Sequence, residues 1–209
     1  MKIKKAKYEI LSDIDENKIL KFIERAGRIC YKSEEHITDE SALKFVANII
    51  AREHESVLEH EKISVLFTFD RGVSHEIVRH RLCSFSQESS RYINYTKENK
   101  GGEISVIDIR RHLKNPIVSF EIWYDSMLAS ERAYKAMIDA GETPEIARSV
   151  LPNSLKTEIV VTANLREWRV IFRQRTSKYA HPQMREVMIP LLNDLKSKIP
   201  VVFDDIQII

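Results

Sequence analysis

The chain has 209 residues, 43% hydrophobic and 31% charged, with a net charge of +2. That length can bury a substantial core, and the near balance of charge excludes a bulk electrostatic case for nucleic acid or membrane binding. Two cysteines, Cys30 and Cys83, make no disulfide framework and fit a reducing cytoplasm; the start MKIKKAKYEI lacks the apolar stretch of a secretory signal, and no apolar run is long enough to span a bilayer.

Lys2 to Ile10 reads as a first strand. Asp15 to Cys30 reads as a helix with Ile19, Phe22, Ile23 and Ala26 on one face. Thr38 or Asp39 caps a second helix through about Ala51, on which Leu43, Val46, Ile49 and Ile50 recur at helical spacing. After His54-Glu55-Ser56-Val57-Leu58-Glu59-His60, Ile63, Val65, Phe67 and Phe69 alternate along a strand that is mostly buried on both faces. Val73 to Cys83 reads as a helix, with Val73 and Ile77 one turn apart and Glu76 and His80 an i,i+4 pair. The serine-rich stretch after it reads as a loop ending in Arg91-Tyr92.

Gly101-Gly102 marks a turn, and Glu103 to Ile109 reads as a short strand. Asn115 caps a long helix with Pro116 at its first position and Gly141 as its stop; Ile122, Met127, Tyr134, Met137 and Ile138 supply its apolar side. Thr143-Pro144 opens a short helix holding Ala147-Arg148, halted near Pro152, and Lys156 to Thr162 alternates as a strand. Asn164 caps the next helix with Glu167 at the capping-box position. Leu165, Trp168 and Phe172 form one face there, and Arg175 extends it. The last helix starts at Pro182 and carries Met184, Val187, Met188, Leu191, Leu192 and Leu195; Pro190 should kink it, and Val201 to Phe203 reads as a final strand. With no repeat, linker or composition break, residues 1–209 read as a single α+β domain, long helices packed on a largely antiparallel sheet.

The chemistry concentrates between Arg71 and Tyr95, where Arg79, Arg81 and Arg91 accompany His75, His80, Ser84, Ser86, Ser89 and Ser90. A lone basic triplet is ordinarily a solvated face. A helix feeding a hydroxyl-rich segment with cations at both ends instead suits an anionic ligand: guanidinium forks match phosphate, and hydroxyls add donors. No Walker pattern and no G-x-G-x-x-G occurs, and five glycines in all argue against a Rossmann site. His54, His60, His75 and His80 fit neither H-E-x-x-H nor paired C-x-x-C, so no metal site is expected. Cys83 reads as a small packed hydrophobe on a helix, and Ser89, with no oriented base in register, as a ligand-binding hydroxyl rather than a nucleophile. Arg175 either snorkels at its helix end or places its cation on an apolar face for a reason.

Arg79-His80-Arg81, seven residues, then Ser89-Ser90-Arg91-Tyr92 resembles the signature of the flavin-dependent thymidylate synthases. The resemblance extends to the His54–His60 segment, to Ala147-Arg148-Ser149-Val150-Leu151-Pro152, to Asn164-Leu165-Arg166 and to Arg175. It departs at Ser86-Gln87-Glu88, where many members have Asn-Glu before the serine, at Glu76, where some have glutamine, and at Val170, where some have asparagine. The resemblance implies reductive methylation of dUMP to dTMP, with FAD as hydride carrier and methylenetetrahydrofolate and NADPH as co-substrates. It places Glu76, Arg79, Gln87, Glu88, Ser89, Ser90, Arg91, Arg148 and Arg175 at dUMP, with Arg175 catalytic. It places His54, Ser56, Arg79, His80, Arg81, Gln87, Asn164 and Arg166 at FAD. It further implies a cytoplasmic homotetramer whose sites are shared between subunits, so that Arg148 and Ser89 meet only across an interface. Two other readings remain open: a nucleic-acid-binding protein using the Arg-His-Arg helix, against which stand the balanced charge and the lack of a helix-turn-helix or zinc-finger pattern, and a flavoprotein regulator that binds nucleotide without turnover.

Overall fold

The computed structural model describes residues 1–208. In chain order the strands are β1 (Lys2–Lys4), β2 (Lys7–Ile10), β3 (Lys62–Asp70), β4 (Cys83–Gln87), β5 (Ser105–Ile107) and β6 (Lys156–Asn164). The helices are α1 (Glu16–Ile29), α2 (Ser41–Ala51), α3 (Arg71–Ile77), α4 (Pro116–Asp139), α5 (Pro144–Ala147), α6 (Leu165–Arg175), α7 (Pro182–Lys198) and α8 (Pro200–Phe203). The fold is α+β with a four-stranded antiparallel sheet in the order β2-β3-β6-β4, while β1 pairs in parallel with β5 in the register Lys2↔Ser105, Ile3↔Val106, Lys4↔Ile107. Among the described residues, no helix is long and apolar enough to cross a membrane.

Side-chain caps set several helix starts. Asp15 accepts from Lys18 N at 3.0 Å, Asn115 from Val118 N at 3.4 Å with Pro116 following, and Asn164 from Glu167 N at 2.8 Å. Each fills one of the donors that a helix start leaves without a partner. α2 differs from its expectation. It begins at Ser41, after Glu40 and without a side-chain cap, and Ser41 Oγ lies 2.8 Å from Glu24 Oε2 and 3.1 Å from Thr38 O.

The stretch after β3 also differs. Asp70 accepts from Val73 N at 2.7 Å, so α3 starts at Arg71, and it ends at Ile77 rather than at Cys83. Cys83 to Gln87 is a strand, not a loop, and Cys83 lies on that strand rather than on a helix. Its burial alternates, with Cys83, Phe85 and Gln87 less exposed than Ser84 and Ser86. The expected first strand is two short ones, and Val201–Phe203 is helical, with Pro200 pre-set at the first helical position. α7 runs on through Pro190. Phe22, Leu43 and Ile122, each expected on a packed face, are 46%, 55% and 66% exposed.

By internal packing the chain forms two compact units. The first comprises residues 1–7, 67–79 and 86–160. Its core joins Tyr95, Ile104, Val106, Met127, Tyr134, Ala147 and Leu155, with Trp123 and Ile138 against them. The second comprises residues 8–66, 80–85 and 161–209. There Trp168 stacks on Phe172 at 5.5 Å, Phe172 meets Phe203 edge-on at 5.7 Å, and Trp168 Nε1 donates to Ile63 O at 3.0 Å. Arg169 is fully buried in this unit. Its guanidinium donates to Glu55 at 3.0 Å, to both Asp205 oxygens at 2.7 and 2.6 Å, and to the carbonyl of Val202. A buried guanidinium is tolerated because its donors meet carboxylates and a carbonyl.

Candidate active site

In the first unit, Arg71, His75, Ser90, Arg148, Ser149 and Asn153 line much of a cavity of ≈ 300 Å³. Arg148 Nη1 reaches Ser90 Oγ at 3.4 Å, and Ser90 is buried. Two guanidinium groups, an imidazole, two hydroxyls and an amide suit an oxygen-rich anion. Of the nine residues expected at the nucleotide, two, Ser90 and Arg148, line this cavity. Their bond lies within one chain. Arg71, His75, Ser149 and Asn153 were not assigned to the nucleotide, although His75 belongs to the stretch that reads as suited to an anion. The signal for the first two was the Asp70 cap: once the helix starts at Arg71, Arg71 and His75 stand at i,i+4.

The other expected nucleotide residues of this unit have partners elsewhere or face solvent. Arg91 Nε donates to Glu145 Oε1 at 2.6 Å, with both side chains about half exposed at 48%, and the pair raises the arginine pKa. Ser89 Oγ accepts from Arg91 N at 3.3 Å. Gln87 Nε2 donates to Ser74 Oγ at 2.9 Å and Thr157 Oγ1 at 3.1 Å. Glu88 holds Lys156 at 2.9 Å. Glu76 sits half-buried in the last turn of α3, and Arg79 is exposed just after it.

In the second unit, His54, Ser56 and Arg166, all expected at the flavin, line one cavity of ≈ 420 Å³. Tyr31, Phe45, Ile49 and Val57 give it an apolar wall. Phe45 can approach because position 27 is glycine: a Cβ there would lie 2.7 Å from the ring. An apolar wall for a ring system, with an imidazole, a hydroxyl and a guanidinium at its polar side, fits part of a flavin nucleotide. Arg166 Nη1 donates to Glu59 Oε1 at 2.5 Å. Asn164 Oδ1 is used as the α6 cap, and Arg81 is exposed.

His80 does not line that cavity. It is 6% exposed, its Nδ1 lies 3.2 Å from Glu167 Oε1, and Arg175 Nε donates to its Nε2 at 3.0 Å. An arginine can only donate, so Nε2 carries the lone pair and the ring proton sits on Nδ1, donating to Glu167. Burial and then the charge of Arg175 lower the His80 pKa from 6.5 to about 4. Burial raises the Glu167 carboxyl above its ordinary range, and burial with the Glu167 charge pushes the Cys83 thiol up to about 12. The Glu167 carboxylate thus faces His80, although its backbone N–H takes the Asn164 cap. Arg175 is partly buried at the end of α6, and the partner His80 is not a helix-end solvent shell.

The family model "Thymidylate synthase complementing protein" matches residues 14–201. A flavin-dependent thymidylate synthase of Geobacter sulfurreducens is 33% identical over 195 residues, covering 86% of this chain and 78% of that one. One of Mycobacterium tuberculosis is 33% identical over 198 residues, covering 89% and 79%. A solved structure of the UMP/dUMP methylase PolB from Streptomyces cacaoi, bound with 5-Br dUMP, superposes with a TM-score of 0.81 at 19% identity, covering 98% of this chain and 96% of that one.

Proposed function

We infer residue roles from one premise: this chain belongs to the flavin-dependent thymidylate synthase family. Its activity is the methylation of dUMP to dTMP, with FAD as cofactor. We propose methylenetetrahydrofolate as the carbon donor and NADPH as the reductant. We also propose a cytoplasmic homotetramer, in which residues 1–209 act as one functional domain and each site draws on more than one copy.

The observation that carries the assignment to residues is the gathering of His54, Ser56 and Arg166 on one cavity with an apolar wall. On this reading the wall takes the flavin ring, and the polar side takes hydroxyl and phosphate oxygens. FAD, when bound, supplies the hydride that converts the transferred carbon to a methyl group. Arg148 and Ser90, with Arg71 and His75 beside them, hold the dUMP phosphate, and Arg91 joins once it leaves Glu145. The remaining expected residues, Glu76, Arg79, Gln87, Glu88 and Ser89 for dUMP and His80, Arg81 and Asn164 for FAD, frame these groups.

Arg175 faces the uracil ring and stabilises negative charge as the ring nitrogen loses its proton, which makes the carbon that receives the methyl more nucleophilic. Its Nε is anchored on a neutral ring, which holds the cation without adding a positive charge of its own.

Replacing hydrogen by methyl at that carbon must release the hydrogen. Purified protein with FAD, NADPH and methylenetetrahydrofolate should therefore liberate label from 5-tritiated dUMP and form dTMP. Protein that binds FAD and dUMP but releases no label would favour a regulator, and protein that takes up no FAD would sink the flavin assignment.

A further inference from the structure

Glu167 lies in the first turn of α6 and Arg175 closes it. Eight residues apart, they share one helix face with Ile171 between them. His80, from a different segment, bonds to both: Nδ1 to Glu167 Oε1 at 3.2 Å and Nε2 to Arg175 Nε at 3.0 Å. The His80 and Glu167 side chains are only 5% and 8% exposed, so water does not compete well for either bond.

We propose that Glu167 is a positioning residue for Arg175, acting through His80: its carboxylate holds the ring proton on Nδ1 and so keeps Nε2 as the acceptor that fixes the guanidinium. The proposal rests on the reading of Arg175 as the group that faces the pyrimidine. A histidine without Glu167 can place its proton on either nitrogen. On Nε2 that proton points at an N–H of Arg175, two donors oppose each other, and the guanidinium must turn away. Glu167 makes that tautomer costly, since a buried carboxylate would then face a ring nitrogen with no proton. A plain structural ion pair would need a charged imidazole, whereas burial and Arg175 keep this one neutral, with a pKa of about 4.

Two measurements decide it. In the full-length protein labelled with 15N-histidine at neutral pH, His80 should show a protonated Nδ1 and a bare Nε2; the opposite tautomer overturns the proposal without any substitution. In steady-state turnover over a dUMP titration, Glu167→Met keeps volume, removes the acceptor, and should lower kcat about 10- to 100-fold, the usual cost of losing a group that orients a functional side chain. The dUMP KM and the FAD affinity should hold. Glu167→Gln, whose amide oxygen can still accept from Nδ1, should recover most of the rate. In an Arg175→Ala background, Glu167→Met should cost nothing further, because the group it positions is gone. A full additive loss there, or a normal kcat for Glu167→Met beside a slow Arg175→Ala, overturns the proposal alone. A normal kcat for Arg175→Ala removes the reading of Arg175 and the proposal with it.

Discussion

At Arg175 the atom that His80 accepts from is Nε, which lysine lacks. Arg175→Lys therefore keeps the charge and loses both the planar fork and the anchor. If the residue stabilises the ring anion, the loss persists at saturating dUMP, and kcat should fall roughly ten- to a thousandfold. FAD binding should be unchanged; a near-normal maximal rate for both Arg175→Lys and Arg175→Ala would return the residue to a packing role. Arg91 poses the opposite question, since a carboxylate already occupies the guanidinium proposed for the phosphate. Glu145 is then a built-in competitor. Glu145→Gln should tighten dUMP binding by roughly two- to fivefold, the scale of an exposed ion pair, and leave kcat alone. Weaker dUMP binding in that variant would mean that Glu145 orients Arg91 instead. Arginine pairs of this kind were not legible in the sequence: Arg91 and Glu145 are 54 residues apart, and nothing local links them.

At the scale of elements, α6 ties a helix to a titration. Folding lowers the His80 pKa from 6.5 to about 4, so the unfolded chain binds this proton more tightly. The contribution of a neutral His80 is complete above pH 6.5, shrinks as pH falls, and is gone near pH 4; its size is roughly 3 kcal/mol. Glu167 runs the other way, because its raised carboxyl takes up a proton more readily when folded. Urea midpoints between pH 7 and pH 5 should fall more steeply for the natural protein than for His80→Gln, and parallel slopes would show that His80 is not held neutral. The start of α6 was readable because a cap is local: Asn164 and the N–H of Glu167 are three residues apart. The destination of the Glu167 carboxylate was not, since His80 lies 87 residues away. β4 was misread for a related reason. Its alternation Cys83-Ser84-Phe85-Ser86-Gln87 was present, but serine and glutamine weaken the apolar signal that marks a strand, and pairing within the sheet supplies the rest.

At the scale of the whole molecule, the oligomer proposal can be tested by complementation. Mixed oligomers of Arg148→Ala and Arg175→Ala chains should regain activity, because some sites receive both intact arginines. No regain despite demonstrated subunit mixing would place both in one chain. The family signature announced the segments, but not which of their side chains border a cavity: Arg148 does, whereas Arg79 and Arg81 face solvent and Arg91 is held by a carboxylate. Arg169 carries one more consequence. Its guanidinium holds Glu55, which lies between His54 and Ser56 on the cavity wall, and with the same fork holds Asp205 near the far end of the chain. Two regions that share one cation are thermodynamically linked, and linkage is reciprocal. Ordering of the His54–Ser56 segment by a bound cofactor should therefore slow proteolytic clipping around Asp205, and Asp205→Asn should weaken cofactor affinity without touching any group that the cofactor meets.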